Sequence, residues 1–398
     1  MEKEIISNRD FIIFGLQPWD ISIGSNCKNI ALEIARNNRV LYVNRPLDWI
    51  SKWKNKNDEK VKNRLNSIKH GKNILTEVSK NLTVFNPGII LASVNFLPEG
   101  NIYRILNKRN NRRLAREISW AMKKLNFSSP ILLIDNDFFN GQYLSGFLKP
   151  SFFIYYIRDF LISQQYFKKH GNHAESQIIK KADAVAANSK YLKNYAAKYN
   201  DNAVDVGQGC DVESFLQIPS TLPEDVKQIP WPVIGYCGSL TATRLDIELI
   251  YFIGKNKPGW NIVLVGPQDE AFKNSILHSL PNIYFLGTKP EKDLPGYIHS
   301  FDVCINPQLL NQMTVGNYPR KVDEYLAAGK PVVATKTETM EMFLPLVYLC
   351  VSNQDYLNNI TLALAEDNND FIAQQRKQMG KSHTWEASVK KIYSLINN

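Results

Sequence analysis

Short apolar runs rich in β-branched and aromatic residues alternate with helical patterns along the chain. Phe11–Phe14 precedes the helical run Asn29–Arg36, and Ile131–Ile134 and Phe152–Ile157 have the composition of buried strands. Strands that alternate with helices form βαβ units, and these units build a mostly parallel sheet. We therefore predict an α/β fold in which ligands bind at the loops that follow the carboxyl ends of the strands.

A second series of the same kind begins after a segment rich in proline and glycine. That segment covers residues 207–231, and the strand candidates Val233–Tyr236 and Asn261–Val265 follow it. At 398 residues the chain is long enough for two such domains, each with its own core. We predict a first domain over residues 1–206, a linker over 207–231 and a second domain that starts at residue 232.

Basic residues outnumber acidic ones, and the formal net charge is +10. Residues 45–73 hold nine Lys or Arg against three Asp or Glu, and residues 104–124 hold eight against one. Trp49, Ile50 and Trp53 lie in the first of these segments, in the pattern of an interfacial anchor. An anionic membrane surface is therefore an expected partner, with a solvated loop as the alternative. Nucleic acid is not expected, because no signature of a nucleic-acid-binding module is present.

Cysteine spacing and the N-terminal sequence limit the class of protein. The five cysteines are widely spaced and form no C-x-x-C pair, which disfavours a disulfide framework and a zinc site. The first residues are charged and mixed in sign, unlike a signal peptide. The longest apolar runs are shorter than the ~18–20 residues that span a bilayer. We expect a cytoplasmic protein that meets a membrane only from its surface.

The helix predicted near residue 320 is the strongest candidate for an anion site. Pro319 suits the first helical position, and Gly329 suits the position just after the end. Arg320 and Lys321 fall in the first turn, where the helix dipole disfavours cations unless an anion binds there. Glu324 follows Arg320 by one turn on the same side, where its carboxylate can accept hydrogen bonds from a ribose diol. A surface helix with an ordinary Arg–Glu pair is the alternative.

The run PRKVDEYLAAGKPVV, which starts at Pro319, resembles the carboxy-terminal signature of GT-B glycosyltransferases of family 4, the glycosyl transferases group 1 type. Three more stretches resemble the donor domain of this family in order and spacing: G-Y-C-G-S-L from Gly235, V-G-P from Val265 and D-V-C-I-N-P from Asp302. The resemblance implies the GT-B fold, in which two Rossmann-like α/β/α domains face each other across a cleft. It also implies a donor domain over residues 232–375.

The first half of the chain and its last residues resemble the same family more weakly. Residues 376–398 correspond to a last helix that, in this family, crosses back to the first domain. The loop between Gly15 and Gly24 resembles the loop after the first strand, and the resemblance implies that it closes against the donor or the acceptor.

The resemblance also implies roles for individual residues. Glu324 is implied to bind the ribose, and Arg244 and Lys321 are implied to stabilise the departing diphosphate without a metal. Gly316 stands where the family usually carries a glutamate near the donor sugar, so we expect backbone N–H groups around Val315–Asn317 to hold the sugar. The donor-site candidates are Gly15, Gly24, Gly238, Ser239, Arg244, Gly266, Thr288, Lys289, Val315, Gly316, Asn317, Arg320, Lys321 and Glu324.

Charged side chains that follow two strands of the first domain are candidates for the acceptor side. Asp135 and Asp137 follow one strand, and Arg158 and Asp159 follow the next. Asp159 is also a candidate catalytic residue. A D-x-D pair after a strand is an alternative metal site, because GT-A glycosyltransferases hold Mg²⁺ or Mn²⁺ in this way. For Arg158 and Asp159 the alternative is a local ion pair.

These features predict a glycosyltransferase that moves a sugar from a UDP or GDP donor to a hydroxyl of a saccharide or lipid-linked saccharide. The resemblance implies retention of anomeric configuration and no cofactor or metal. Assembly of bacterial surface polysaccharide or glycolipid, at the inner face of the membrane, is the expected setting. Because of Gly316, two alternatives stay open: a catalytically silent nucleotide-binding partner of another transferase, and a UDP-sugar 2-epimerase with GT-B architecture.

Overall fold

The chain divides into two compact units in a computed structural model that describes residues 5–21, 24–71, 74–366 and 370–397. The first unit combines Met1–Gly207 with Trp385–Asn398, and the second is Gln208–Thr384. The limits that we predict from the sequence differ from this division in two places. Nearly all of the segment 207–231 clusters with the second unit, and the chain returns to the first unit after residue 384 rather than after 375.

The first unit is built on a large sheet with helices on both faces. Among the described residues this sheet has eight strands in the order β10-β9-β8-β7-β1-β2-β5-β4, and all neighbours pair in parallel except β4 with β5. Its strands, together with a separate short pair formed by β3 and β6, are β1 (Asp10–Gly15), β2 (Arg39–Val43), β3 (Leu47–Asp48), β4 (Leu75–Ser79), β5 (Leu82–Phe85), β6 (Ile90–Leu91), β7 (Ile131–Asp135), β8 (Phe152–Ile157), β9 (Ala184–Ala187) and β10 (Ala203–Asp205). The parallel strands are added toward one edge of the sheet from β1 and toward the other edge from β7. Ligands bind open α/β sheets at such a switch point in strand order.

The helices of the first unit bury apolar side chains, except the helix Trp49–Lys54, which has no buried residue. They are α1 (Asn26–Ala35), α2 (Trp49–Lys54), α3 (Glu59–His70), α4 (Asn101–Lys124), α5 (Leu144–Leu148), α6 (Gln165–Lys181), α7 (Lys190–Ala196) and, from the end of the chain, α15 (Trp385–Ile396). The last of these buries Trp385, Val389 and Ile392 in the same core as α1. The hydroxyl of Tyr393 accepts a hydrogen bond from the buried Asn38 side chain at 2.9 Å. Helix α15 is therefore part of the core of the first unit.

The second unit repeats the architecture with a smaller sheet. Its described strands form the order β13-β12-β11-β14-β15-β16, all in parallel. The strands are β11 (Val233–Cys237), β12 (Asn261–Val265), β13 (Ile283–Gly287), β14 (Val303–Asn306), β15 (Val332–Thr335) and β16 (Tyr348–Cys350). The helices are α8 (Glu224–Lys227), α9 (Ile247–Asn256), α10 (Glu270–Lys273), α11 (Leu294–His299), α12 (Arg320–Ala327), α13 (Asn353–Leu364) and α14 (Asp370–Ser382). The strand order reverses between β11 and β14, so this unit also has a switch point.

The predicted α/β architecture is confirmed in both units. Strands β8 and β12 have the limits expected from their apolar runs. Within the described ranges, no helix combines the length and the apolar composition that crossing a bilayer requires.

Candidate functional site

Two glycines bring the loops after β11 and β12 into direct backbone contact. Gly238 donates its N–H to the carbonyl oxygen of Val265 at 2.9 Å, and Gly266 donates to Gly287 at the same distance. Gly238 and Gly266 have φ values of +147° and +145°. A Cβ on Gly266 would overlap the carbonyl group of Gly238. The site therefore needs glycine at residue 266, because a side chain there would separate the two loops.

Lys321 lies against this pair of loops from the first turn of α12. Its Nζ is 4.9 Å from the ring centroid of Tyr236, and a Cβ on Gly238 would be 3.0 Å from its Cε. One turn later, the Tyr325 hydroxyl accepts a hydrogen bond from the N–H of Cys237 at 2.9 Å. This bond ties α12 to the end of β11. The structure thus brings Lys321, Gly238 and the start of α12 together at the switch point of the second sheet.

Glu324 forms an ion pair with Arg320 on the same helix. The Arg320 Nε lies 3.3 Å from Glu324 Oε1, and the two side chains are 37% and 12% exposed. Burial raises the pKa of Glu324, and the cations of Arg320 and Lys321 act in the opposite direction. The predicted i, i+4 proximity is confirmed. A carboxylate held beside two cations at a helix start suits recognition of the hydroxyl groups next to a phosphate.

A buried carboxylate that sequence reasoning missed, that of Asp323, holds α12 against the segment that follows α14. Asp323 is fully buried, and its Oδ1 lies 2.7 Å from Nδ1 of His383. Gly380 of α14 brings the two helices close, since a Cβ there would lie 2.8 Å from the Ala327 nitrogen. No signal in the sequence joins Asp323 to His383, because they are 60 residues apart. The position of α12 is therefore set by its neighbours within the second unit.

Arg244 lies on an exposed turn between β11 and α9, next to the loop that leads into α12. The N–H of Leu309 donates to the Arg244 carbonyl at 2.9 Å, and the Asn311 side chain donates to the Thr243 carbonyl at 2.9 Å. Two loops of the second unit therefore run side by side, one carrying Arg244 and the other carrying residues 315–317. This juxtaposition is consistent with a shared role at one edge of the site.

The loop over residues 315–317 uses two of its N–H groups internally. Val315 donates to the carbonyl of Asn311, and Asn317 donates to that of Thr314, both at 3.0 Å. In this conformation these two N–H groups bond within the protein, and contact of residues 315–317 with a sugar stays a prediction. The physical reason is a compact turn around Asn311, whose side-chain oxygen accepts from the N–H of Met313 at 2.8 Å.

The remaining donor-site candidates of the second unit lie at strand ends. Ser239 is exposed directly after the β11 loop, and Thr288 follows Gly287 at the end of β13. The Lys289 ammonium group binds Asp225 at 2.6 Å and lies over the ring of Tyr297. Its side chain is therefore engaged in the protein, and a contact of Thr288 or Lys289 with the base through the backbone stays a prediction.

Charged residues at the switch point of the first sheet form ion pairs with one another. Arg158 Nε lies 2.9 Å from Asp135 Oδ1, and its Nη1 lies 3.1 Å from Asp159 Oδ2. The local ion pair is therefore present. Asp135 is fully buried, and burial raises its pKa although the Arg158 guanidinium acts in the opposite direction. A Cβ on Gly15 would lie 2.9 Å from Asp135 Oδ2, so the loop after β1 passes directly over this carboxylate.

Asp137 has partners different from those of Asp135. Its carboxylate lies 3.4 Å from Arg45 Nε and accepts hydrogen bonds from the backbone and the side chain of Asn140. The two carboxylates of the D-x-D pair thus bind different arginines, an arrangement that does not resemble the paired ligands of the GT-A alternative. Gly24 directly precedes Ser25, the N-cap of α1, and residues 22–23 of the intervening loop lie outside the described residues.

Comparisons with known proteins give one family model and one relative that match this chain. The sequence model of the family described as glycosyl transferases group 1 matches residues 232–365. A putative teichuronic acid biosynthesis glycosyltransferase, TuaH of Bacillus subtilis, is 27% identical over 232 residues. That match covers 55% of this chain and only 58% of the relative.

Solved structures of similar fold cover nearly the whole chain. Anabaena HepE in complex with UDP superposes with a TM-score of 0.64 at 14% identity, over 97% of this chain and 98% of HepE. Sucrose-phosphate synthase from Thermosynechococcus elongatus gives a TM-score of 0.64 at 14% identity, over 98% of each chain. The resemblance seen in the sequence is confirmed. Residues 232–365 therefore match the glycosyl transferases group 1 family, and the chain as a whole has the GT-B fold.

Proposed function

We propose that this chain is a glycosyltransferase that moves a sugar from a nucleoside-diphosphate donor to a hydroxyl group. One observation carries the proposal: Lys321, Glu324 and the Gly238–Gly266 loop pair meet at the switch point of the second sheet. A helix start, an ammonium group and close-packed backbone are the means by which proteins hold a diphosphate. The complex of HepE with UDP supports UDP as the nucleotide. The TuaH relative supports assembly of a surface polysaccharide as the setting.

The proposed reaction breaks the bond between the anomeric carbon and the outer phosphate oxygen. The electron pair of that bond stays on the nucleoside diphosphate, whose negative charge grows as it leaves. The acceptor oxygen forms the new bond on the face that retains the configuration, and its proton is released. In this proposal Arg244 and Lys321 stabilise the leaving diphosphate, so that transfer does not require a bound metal. Glu324 holds the ribose in the same arrangement.

Nucleotide binding tests the donor site directly. We expect UDP at a hundredfold its Kd to stabilise the full chain by about 2.7 kcal/mol with EDTA present. GDP, ADP and CMP, measured alongside, identify the preferred base. Glu324→Ala should weaken binding of the preferred nucleotide about 10- to 150-fold, because hydrogen bonds to charged groups contribute about 1.5–3 kcal/mol. The measurement is a thermal unfolding series for each nucleotide.

The control variant is Glu341→Ala, which removes an exposed glutamate of the same unit that pairs with Lys336. It should bind as the wild type does. Absence of stabilisation by every nucleotide would refute the donor site. Stabilisation that appears only when Mn²⁺ replaces EDTA would instead favour a metal-dependent site at Asp135 and Asp137.

Product analysis separates the transferase from its two alternatives, which rest on Gly316. A silent partner would bind the nucleotide without releasing it from a nucleotide sugar. A 2-epimerase would convert the donor into an isomer without any acceptor. Release of UDP that depends on an added acceptor supports the transferase alone.

We also propose that helix α4 holds the protein against an anionic membrane at the cytoplasmic face. One shallow depression on its surface is lined by Ile105, Lys108, Arg109, Arg112, Arg113 and Arg116. None of these cations pairs with a carboxylate of the described residues. Ile102 and Ile105 are 71% and 65% exposed at the start of the same helix. Uncompensated cations beside exposed apolar side chains favour a bilayer with anionic lipids.

Vesicle binding tests this surface. The double variant Arg109→Gln/Arg112→Gln should lose about 2 kcal/mol of affinity for phosphatidylglycerol vesicles, or about 30-fold, at about 1 kcal/mol per cation. Co-sedimentation at low salt measures the affinity, and neutral vesicles should not bind. The matched control Lys255→Gln/Lys381→Gln neutralises two exposed lysines elsewhere. Equal losses in both double variants would contradict a specific role for α4.

A further inference from the structure

A second cavity, in the first unit, combines cationic and apolar walls. It has a volume of about 400 Å³ and lies between α2, residues 91–96, α4 and the start of α6. Arg45 and Asn140 both line it, and both contact Asp137 after β7. The cavity therefore lies at the carboxyl edge of the first sheet, where α/β folds bind their ligands.

Hydrogen bonds from three helices hold the segment over residues 91–96 in place. The Asn110 side chain binds both the N–H and the carbonyl of Ala92, at 3.1 and 2.8 Å. The Ser93 hydroxyl donates to Asp48 at 2.7 Å, and the Lys169 ammonium group donates to the Phe96 carbonyl at 2.7 Å. The cavity wall is thus preformed, which lowers the entropic cost of binding a ligand.

The charges that face the cavity favour an anionic group. Arg45, Lys54 and Lys169 line it together with a single carboxylate, that of Asp48. Asp48 already accepts bonds from Ser51 and Ser93 as the N-cap of α2. Lys54 is exposed and has no ion-pair partner among the described residues. A phosphate there would therefore meet the uncompensated charge of Lys54 beside the Arg45 guanidinium, which also contacts Asp137 at 3.4 Å.

The rim of the same cavity is apolar and exposed. Ile50, Phe96 and Tyr166 line it and are 42%, 66% and 58% exposed. Trp49 and Trp53 of α2, the same helix as Ile50, are 56% and 75% exposed. Large apolar side chains held on fixed elements in water mark a site that binds an apolar partner.

We propose that this cavity binds the acceptor as an anionic amphiphile, with a phosphate between Arg45 and Lys54 and a hydrocarbon chain along Ile50, Phe96 and Tyr166. The designation of the ligand as the acceptor rests on the proposed transferase function. The chemistry of the ligand rests only on the cavity. A lipid-linked saccharide phosphate has this combination of groups.

Calorimetric titration of the full chain with octyl phosphate below its micelle concentration tests the proposal. Octyl phosphate should bind at least tenfold more tightly than inorganic phosphate, which lacks the chain, and octyl glucoside, which lacks the charge. Emission from Trp49 and Trp53 should shift to shorter wavelength as the chain covers α2. Equal binding of octyl phosphate and inorganic phosphate would show a site for anions only. Equal binding of octyl phosphate and octyl glucoside would show nonspecific apolar adsorption. Either result overturns the proposal.

Variants locate the ligand. Lys54→Gln and Phe96→Ser should each weaken octyl phosphate binding at least fivefold. Phe371→Ser is the matched control, because Phe371 is 71% exposed in the second unit. Unchanged affinity in both cavity variants would refute the site.

UDP titration of the same samples distinguishes this proposal from the proposed function. If the protein binds UDP but does not bind octyl phosphate, only the cavity proposal is refuted. If the protein binds octyl phosphate but does not bind UDP, the proposed transferase function is refuted and the cavity remains a site for an amphiphile.

Discussion

Arg244→Ala is expected to lower the rate of sugar transfer about 100- to 1,000-fold, the range found when one stabilising donor to a developing negative charge is removed. Arg244 lies on an exposed turn, and no hydrogen bond or ion pair of its side chain is present among the described residues. Its removal should therefore leave the melting temperature nearly unchanged. Steady-state kinetics should show the loss mainly in kcat, because the charge develops in the transition state.

Two further variants sharpen this test. Arg244→Lys keeps the charge but not the planar pair of donors, so it should recover only part of the rate. Lys255→Ala removes an exposed cation of α9 in the same unit and should leave kcat unchanged. A normal kcat for Arg244→Ala would mean that Lys321 and the start of α12 stabilise the diphosphate without it.

Gly266→Ala is expected to destabilise the second unit by about 3 kcal/mol and to abolish stabilisation by UDP. The added Cβ would overlap the carbonyl group of Gly238, and the φ of +145° is strained for any residue with a side chain. Neither loop can move freely, because each is hydrogen-bonded to a neighbouring strand end. At about 2–4 °C per kcal/mol for a unit of this size, the melting temperature should fall by about 6–12 °C.

Gly259→Ala provides the matched control. A Cβ on Gly259 would have no atom within 4 Å, so this variant should be neutral or slightly stabilising. Thermal unfolding of both variants with and without UDP separates loss of fold from loss of site. A stable Gly266→Ala protein that still binds UDP would contradict the close loop contact.

Local pattern predicts much of this fold. Buried strands such as Phe152–Ile157 are continuous apolar runs with turn residues on both sides, so their limits are visible without tertiary information. Strand β4 was not expected, because Leu75–Ser79 is mostly exposed and polar and forms only through antiparallel pairing with β5. Pairing at a sheet edge depends on the neighbouring strand rather than on the segment itself.

The sequence predicts those contacts of the candidate site that join residues close to each other along the chain. The Arg320–Glu324 pair follows from helical spacing. The contact between Asp323 and His383 does not, because it depends on how α14 packs against α12. The internal use of the Val315 N–H likewise depends on the turn around Asn311. Roles of single residues in sugar transfer stay predictions until the variants are measured.

The discontinuous first unit has a consequence for the order of events during synthesis. The ribosome makes residues 1–207 first, yet the core of that unit also contains Trp385, Val389 and Ile392. The second unit is contiguous from residue 208 to 384, so its whole sequence emerges while the first unit still lacks α15. Domains generally fold as units during translation. In this chain, therefore, the unit that is translated first is the one that can complete its core last.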